Sequence, residues 1–238
     1  MKDDFLSRTR MLLGDKALWQ LSQSRVAVFG VGGVGGHAVE VLARSGVGAI
    51  DLYDNDVVNL SNLNRQIIAT TSTVGRYKVD VAVERIHDIN PSCRAQGFKM
   101  FYVVANAHEV DLSQYDYVVD CIDTVSAKME LVRRCKRLGV PIICSMGAAN
   151  KLDASAFRVA DISETDVDPL ARIMRKRLRK EGIEHFKCVF SMEKPRKPLV
   201  TDEVPSGARP VPASSAWVPA AAGIVLGGEV VLDLCSLK

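Results

Sequence analysis

Apolar positions along the chain fall into short strand-like runs that alternate with stretches of helical period. Arg25-Val26-Ala27-Val28-Phe29 is a compact β run that stops at Gly30. His37 to Arg44 then reads as a helix closed at Gly46, and Ala49 to Tyr53 as a second strand closed by Asp54-Asn55-Asp56. Val74 to Ile89 predicts a helix with Val79, Val83 and Ile86 on one face. Arg94 to Met100 predicts a third strand and Asp116 to Ile122 a fourth. Ala127 to Leu138 predicts a helix, and Val140 to Ser145 a fifth strand. Repeated strand–helix units predict an α/β fold, a doubly wound, Rossmann-like and mainly parallel sheet. Such sheets bind ligands beyond the carboxyl ends of their strands. The glycine turn after Phe29, Asp54 and Asp123 all fall at such ends.

The pattern changes after residue 150. Ala156 to Ile162 reads as another strand, and Asp168-Pro169 as a helix start with an N-cap and Pro at the first helical position. One face of that helix carries Leu170, Ile173, Met174 and Leu178; the other carries Arg172, Arg175, Lys176, Arg177, Arg179 and Lys180. Cys188 to Met192 is a short strand. Residues 194–219 hold six of the nine prolines and predict a mobile crossover loop. Ala213 to Cys235 is apolar, but Pro219, Glu229 and Asp233 interrupt it, so a buried helix is expected rather than a membrane span. The expected organisation is one domain over 1–238. It comprises an N-terminal helical segment (1–24), a nucleotide-binding core (25–150) and a C-terminal extension (151–238) with strand, basic helix and crossover loop.

Composition narrows the classes. A chain of 238 residues at 47% hydrophobic can bury a real core. A net charge of +3 is too small to argue nucleic-acid binding from the total, so the placement of basic residues matters more. The six cysteines are scattered with no C-x-x-C pair, which argues against structural zinc and for reduced thiols in a cytoplasmic protein. The first ten residues, MKDDFLSRTR, have mixed charge and no apolar core, so no signal peptide is expected.

The chemistry begins at Gly30-Val31-Gly32-Gly33-Val34-Gly35. A strand running into Gly30-x-Gly32-x-x-Gly35 lets the backbone approach a phosphate, and the next helix aims its free N–H groups at the anion. Asp54, at the end of the second strand, can take both ribose hydroxyls. These features alone fit NAD as well as ATP, and by themselves favour a dehydrogenase. Arg65 and Lys78 change that balance, because cations beside the β and γ phosphates neutralise charge on a leaving pyrophosphate. Asp120-Cys121-Ile122-Asp123 ends a core strand with a carboxylate that can hold Mg²⁺ or lie near a substrate carboxylate. Cys121 reads as a small core residue. Cys188, in Lys187-Cys188-Val189-Phe190-Ser191, is either a core thiol or a nucleophile.

These segments, in this order and spacing, resemble the ubiquitin-activating and sulfur-carrier-activating adenylyltransferases from about Arg8 onward. The resemblance implies that Gly33 lies under the ATP phosphates and Asp54 holds the ribose. It implies that Ser61 to Arg65, with Ser61, Asn62, Asn64 and Arg65 as contacts, line the nucleotide pocket, and that Asp56 and Gln66 also bind the nucleotide. Arg65 and Lys78 would meet the phosphates, and Asp123, with Thr124 beside it, would serve Mg²⁺ or the adenylylation step. Arg10 matches an arginine that the family reaches across a homodimer into the partner's ATP site.

Within that family the missing zinc cysteines and the basic helix resemble the tRNA threonylcarbamoyladenosine dehydratase subgroup. Arg65-Gln66, Asn90-Pro91, Asp168-Pro169-Leu170-Ala171 and Cys188-Val189-Phe190-Ser191 carry that likeness. The implied reaction is ATP-dependent activation of the threonyl carboxylate and cyclisation of the modified adenosine, with no covalent enzyme intermediate. The alternative is activation of the C-terminus of a small sulfur-carrier or ubiquitin-like protein. A monovalent cation and a sulfur-relay protein partner are further possibilities of the family. Arg172, Arg175, Lys176 and Arg179, followed by Lys194, Arg196 and Lys197, would suit an RNA backbone. A solvated helix face is the other reading. No membrane partner is expected.

Overall fold

Alternation along the first strand sets the architecture. Val26 and Val28 belong to the core on one side of the sheet, Ala27 and Phe29 to the core on the other. A strand buried on both faces needs helices on both, as parallel sheets require. The computed structural model describes residues 4–200 and 212–237. In chain order these form α1 (Ser7–Gln23), β1 (Arg25–Phe29), α2 (Gly35–Arg44), β2 (Ala49–Tyr53), α3 (Lys78–Ile89), β3 (Arg94–Phe98) and β4 (Tyr117–Asp120). There follow α4 (Val125–Leu138), β5 (Ile142–Ser145), β6 (Phe157–Asp161), α5 (Pro169–Arg179), β7 (Lys187–Ser191) and α6 (Trp217–Leu234).

The seven strands form one sheet in the order β3-β2-β1-β4-β5-β7-β6. Every neighbouring pair is parallel except β6 with β7, so the sheet is mainly parallel, as expected. Residues from α1, α2, α3 and α6 fill one face: Leu21, Leu42, Val79 and Leu226 all lie in that core. Leu131 of α4 and Met174 and Leu178 of α5 fill the other. Truncating a fully buried Leu such as Leu42 or Leu131 to Ala costs about 2–5 kcal/mol.

Several expected boundaries shift, three of them with a bearing on the site. The helix expected from Val74 begins at Lys78. Gly75 is left-handed at φ +87° and donates its N–H to the Val58 carbonyl, while Val58 donates to the Arg76 carbonyl. Gly75 and Arg76 are thereby bonded to Val58 opposite, and Tyr77 bridges Val57, instead of entering a helical turn. The third strand stops at Phe98 rather than Met100. The last helix begins at Trp217, inside the stretch expected as loop, and places Pro219 in its first turn, where a missing N–H costs nothing. Of the loop expected to be mobile over 194–219, residues 201–211 lie outside the described residues.

The sequence of α6 is long and apolar enough to cross a membrane by length and composition, yet half of it is buried. Its glycines explain why. A Cβ at Gly223 would stand 2.2 Å from the Val34 carbonyl oxygen, and one at Gly227 would stand 2.8 Å from Val41 Cβ. The helix is pressed against α2 as a core element, in agreement with the sequence.

Candidate functional site

The strand order reverses between β1 and β4, and such a switch point opens a crevice at the carboxyl ends. Register makes those ends flush. Phe29 stands opposite both Tyr53 and Asp120, Gly30 N–H donates to the Tyr53 carbonyl (2.8 Å) and Cys121 N–H to the Phe29 carbonyl (2.8 Å). Phe29 stacks on Tyr53 at 4.5 Å and Tyr53 on Phe98 at 4.6 Å, a rigid aromatic floor across three strands.

The glycines of the turn do different things. Gly30 takes φ +87°, and a Cβ there would lie 2.8 Å from the Cys121 carbonyl oxygen. A Cβ on Gly35 would lie 1.8 Å from the Gly30 carbonyl oxygen, so the turn cannot close around any larger residue. Gly32 and Gly33 face outward to the site. The Cβ that Gly33 lacks would be 3.2 Å from Pro219 Cβ and 3.6 Å from Arg65 Cγ. That of Gly32 would be 4.0 Å from Gln66 Nε2. Arg65, Gln66 and the start of α6 therefore wall the turn; the sequence marked Pro219 as a break in the last apolar run, not as a residue of the site.

Asp54 closes the turn from β2: its Oδ2 accepts the Val31 N–H at 2.7 Å and its Oδ1 the Asp56 N–H at 2.8 Å. Asp56 in turn accepts from Lys78 Nζ at 2.6 Å, with the Lys78 side chain only 6% exposed and that of Asp56 58% exposed. Both residues expected to meet ATP are thus fixed by this loop. Asn62 is buried, and its Oδ1 accepts the Asn59 N–H. Arg65 donates to the Ser61 carbonyl and to Asn64 Oδ1, so Ser61 takes part through its backbone. Asn64 Nδ2 donates across to the Ser214 carbonyl (3.2 Å). The Gln66 amide is buried, and its Oε1 has no hydrogen-bond partner among the described residues. An orphaned buried acceptor costs about 1–3 kcal/mol, so a polar donor belongs beside it.

On the far side of the crevice Asp123 is exposed, with Oδ1 3.3 Å from the Thr124 hydroxyl that opens α4. The loop that carries it is anchored from below. Lys128, fully buried, lies 2.8 Å from Asp120 and donates to the Ile122 carbonyl at 3.1 Å. Sequence reading missed Lys128, although a lysine on the buried face of α4 beside Ala127 and Leu131 was a signal. Among the described residues no group of three or more His, Cys, Asp or Glu could hold a metal. A lone carboxylate still suits Mg²⁺, which keeps waters and shares substrate phosphates.

The basic helix is mixed. Arg172, Lys176, Arg179 and Lys180 are exposed and, with Arg175, line an open hollow of about 460 Å³. Arg175 turns inward, however, and donates to the Thr165 carbonyl (2.8 Å) and hydroxyl. It holds the turn after β6, which weakens its expected RNA role. Arg10 pairs with Asp4 at 3.0 Å and Asp15 at 2.9 Å within its own chain. Met11 and Leu12, which follow Arg10 in α1, are 74% and 83% exposed, and Trp19, beyond the kink at Gly14, is 66% exposed. All six thiols are free. Burial pushes Cys121 and Cys188 up to about 12, away from the thiolate form that a nucleophile requires.

The chain is 46% identical over 237 residues to the Bacillus subtilis tRNA threonylcarbamoyladenosine dehydratase, covering 96% of this chain and 93% of that one. It is 39% identical over 193 residues to the Escherichia coli dehydratase, covering 78% and 72%. The crystal structure of the Escherichia coli enzyme in complex with AMP superposes with a TM-score of 0.87 at 34% identity, over 97% of this chain and 93% of that one. A structure of the same enzyme in complex with ATP gives 0.86. The family model described as the ThiF family matches residues 6–227, and the chain belongs to that family.

Proposed function

We propose that this chain is an ATP-dependent dehydratase that activates the threonyl carboxylate of threonylcarbamoyladenosine in tRNA and cyclises it. What carries the reading is the convergence of the glycine turn, Arg65-Gln66 and Pro219 on one crevice, in a chain 46% identical to such a dehydratase. The carboxylate oxygen attacks the α-phosphorus of ATP and pyrophosphate leaves. A nucleophilic oxygen of the carbamoyl group then attacks the activated carbonyl and AMP leaves, so the nucleoside loses one water overall. A free carboxylate acylates poorly, whereas AMP is a good leaving group, so the protein's work is positioning and charge stabilisation.

Each residue takes a part in that work. The backbone at Gly32 and Gly33 supports the phosphates at the N-terminus of α2, and Asp54 faces the ribose. Arg65 and Lys78 neutralise charge on the departing pyrophosphate. Asp123 would hold Mg²⁺, which supplies further neutralisation of the phosphates when bound. The carbonyl of Gln66 receives a donor from the nucleotide side. Arg172, Lys176 and Arg179 form a sequence-independent contact with the RNA backbone. The exposed apolar side chains Met11, Leu12 and Trp19 on α1 support a homodimer in which Arg10 enters the partner's ATP site. The reaction belongs in the cytoplasm, in keeping with six unpaired thiols.

The test is mass spectrometry of tRNA nucleosides after incubation with the protein and ATP. The expected result is loss of one water from the modified adenosine, with AMP and pyrophosphate formed in equal amounts. An unchanged nucleoside, or pyrophosphate exchange that needs a small carrier protein ending in Gly-Gly, would overturn it.

A further inference from the structure

Asn150 lies beyond the end of β5, in a loop the sequence did not mark. It makes three hydrogen bonds to the two flanks of the crossover segment. Its N–H donates to the Ala213 carbonyl (2.8 Å), its Oδ1 accepts the Ala213 N–H (2.8 Å), and its carbonyl accepts the Arg196 N–H (2.8 Å). Its backbone is left-handed, φ +60°, a conformation that Asn tolerates better than most residues. The neighbouring Lys151 is buried, bonded to the Gly147 carbonyl and 3.1 Å from Asp168, the N-cap of α5. The next residue, Leu152, accepts the Trp217 indole N–H at 2.8 Å.

The strip held this way leads straight into the nucleotide crevice. The Ser214 carbonyl accepts from Asn64, and Pro219 walls Gly33 and stands beside Arg65. Ala213 is exposed, so water could satisfy its N–H and carbonyl. Burial therefore does not demand the bonds to Asn150; they specify where the strip lies.

We propose that Asn150 is a positioning residue for carboxylate activation: by clamping Ala213 it sets the Ser214–Pro219 strip against Asn64 and the phosphate turn. This rests on the reaction proposed above, in which ATP and the incoming carboxylate meet beside that strip. Asn150 itself touches neither reactant.

Asn150→Gly tests this cleanly, because Gly accepts φ +60° and keeps the two backbone bonds while removing only the Oδ1 acceptor. Asn150→Asp keeps the acceptor and serves as the rescue. Expected for Asn150→Gly are amide exchange across 213–219 and a dehydration kcat that change about tenfold, faster and slower respectively. The thermal midpoint and tRNA affinity should stay at the wild-type values, and Asn150→Asp should restore both altered readouts. Unchanged exchange and kcat in Asn150→Gly overturns the inference. So does equal impairment of both variants with a lowered midpoint, which is what a purely structural loop residue would give. If the wild-type protein leaves modified tRNA untouched, the proposed reaction fails while the inference is still decided. In that case amide exchange and the dissociation constant for ATP are the readouts, and both must shift in Asn150→Gly and recover in Asn150→Asp.

Discussion

Lys78 Nζ lies 2.6 Å from Asp56 Oδ2, so the ammonium expected at the ATP phosphates is already held by a carboxylate of the nucleotide loop. The two partners differ in surroundings, the lysine side chain being 6% exposed and the aspartate 58%. Removing the carboxylate leaves a nearly buried cation without its partner until an anion arrives. Asp56→Asn should therefore lower the thermal midpoint of the unliganded protein and enlarge the rise produced by saturating ATP, by mass action on the folded state. Thermal melts with and without ATP check this. An equal ATP-induced rise in both proteins would show that Lys78 does not face the phosphates. Lys78→Ala should in addition cost about 10²–10³ in kcat, the size of losing one preorganised stabiliser of developing charge.

The glycine turn separates folding from binding at neighbouring positions. A methyl group at Gly35 would lie 1.8 Å from a backbone carbonyl that has nowhere to move. Gly35→Ala should destabilise the protein by more than about 4 kcal/mol and yield little soluble material. At Gly33 the methyl meets Pro219 Cβ at 3.2 Å, which has to give by only a few tenths of an ångström. Gly33→Ala should fold and melt near the wild-type temperature while binding ATP about tenfold more weakly, since the shift falls on the Pro219–Arg65 wall. Calorimetric ATP titration of the folded variant provides the measurement.

How much of this was legible in the sequence follows the range of the interactions. β1 and β2 occupy the runs Arg25–Phe29 and Ala49–Tyr53 that periodicity marked, because local alternation and flanking turn residues determine a buried strand. The start of α3 was misplaced because Gly75 and Arg76 answer to Val58, seventeen and eighteen residues away, and no local pattern records that pairing. Arg65 and Lys78 were found by charge and spacing. Asn150 was not, since its side-chain partner is 63 residues along the chain and asparagine in a loop is unremarkable locally. The inward turn of Arg175 was hidden for the same reason: its position on the polar side of α5 looked like that of Arg172 and Arg179.

That difference on α5 predicts a split among its cations. Charge reversal at Arg172, Lys176 and Arg179, all exposed, should weaken tRNA binding about equally across tRNA sequences. Each lost phosphate contact should also flatten the salt dependence of log K by about one unit. ATP affinity should not change. Arg175→Ala should behave otherwise, lowering the thermal midpoint because the Thr165 carbonyl loses its donor, with a smaller effect on the salt slope. Filter-binding titrations across a salt series, paired with melts, distinguish the two classes. Wild-type tRNA affinity in the triple variant would remove α5 from the RNA surface.

The thiols give a chemical check on whether the proposed reaction runs without a covalent intermediate. Cys188 is fully buried in β7, and burial, reinforced by the charges of Asp161 and Asp168, pushes it up to about 12. The thiol form is thereby favoured at neutral and mildly alkaline pH, the opposite of what a nucleophilic cysteine needs. Iodoacetamide at pH 8 should leave ATP-dependent dehydration intact in the native protein. Cys188→Ala should keep kcat within about threefold while lowering stability by on the order of 1 kcal/mol for the small cavity. A Cys188→Ala protein that folds but cannot turn over would reinstate the thiol as a participant.

The Lys128–Asp120 pair supports the loop that presents Asp123, and both of its side chains are fully buried at 2.8 Å separation. Removing one member strands the other charge in the interior, which typically costs about 3–5 kcal/mol. Lys128→Met should cost that much and should also release the Ile122 carbonyl, which now accepts from Nζ. Pairing it with Asp120→Asn removes the stranded carboxylate, so the double variant should recover a large part of the lost stability. It should not recover catalysis to the same extent, because Ile122 and Asp123 still lack the anchor below them. Denaturant unfolding and kcat on the two single variants and the double variant separate these effects. If stability and kcat recover together, the pair serves folding alone; if stability recovers and kcat does not, the buried lysine holds the Asp123 loop in its working position.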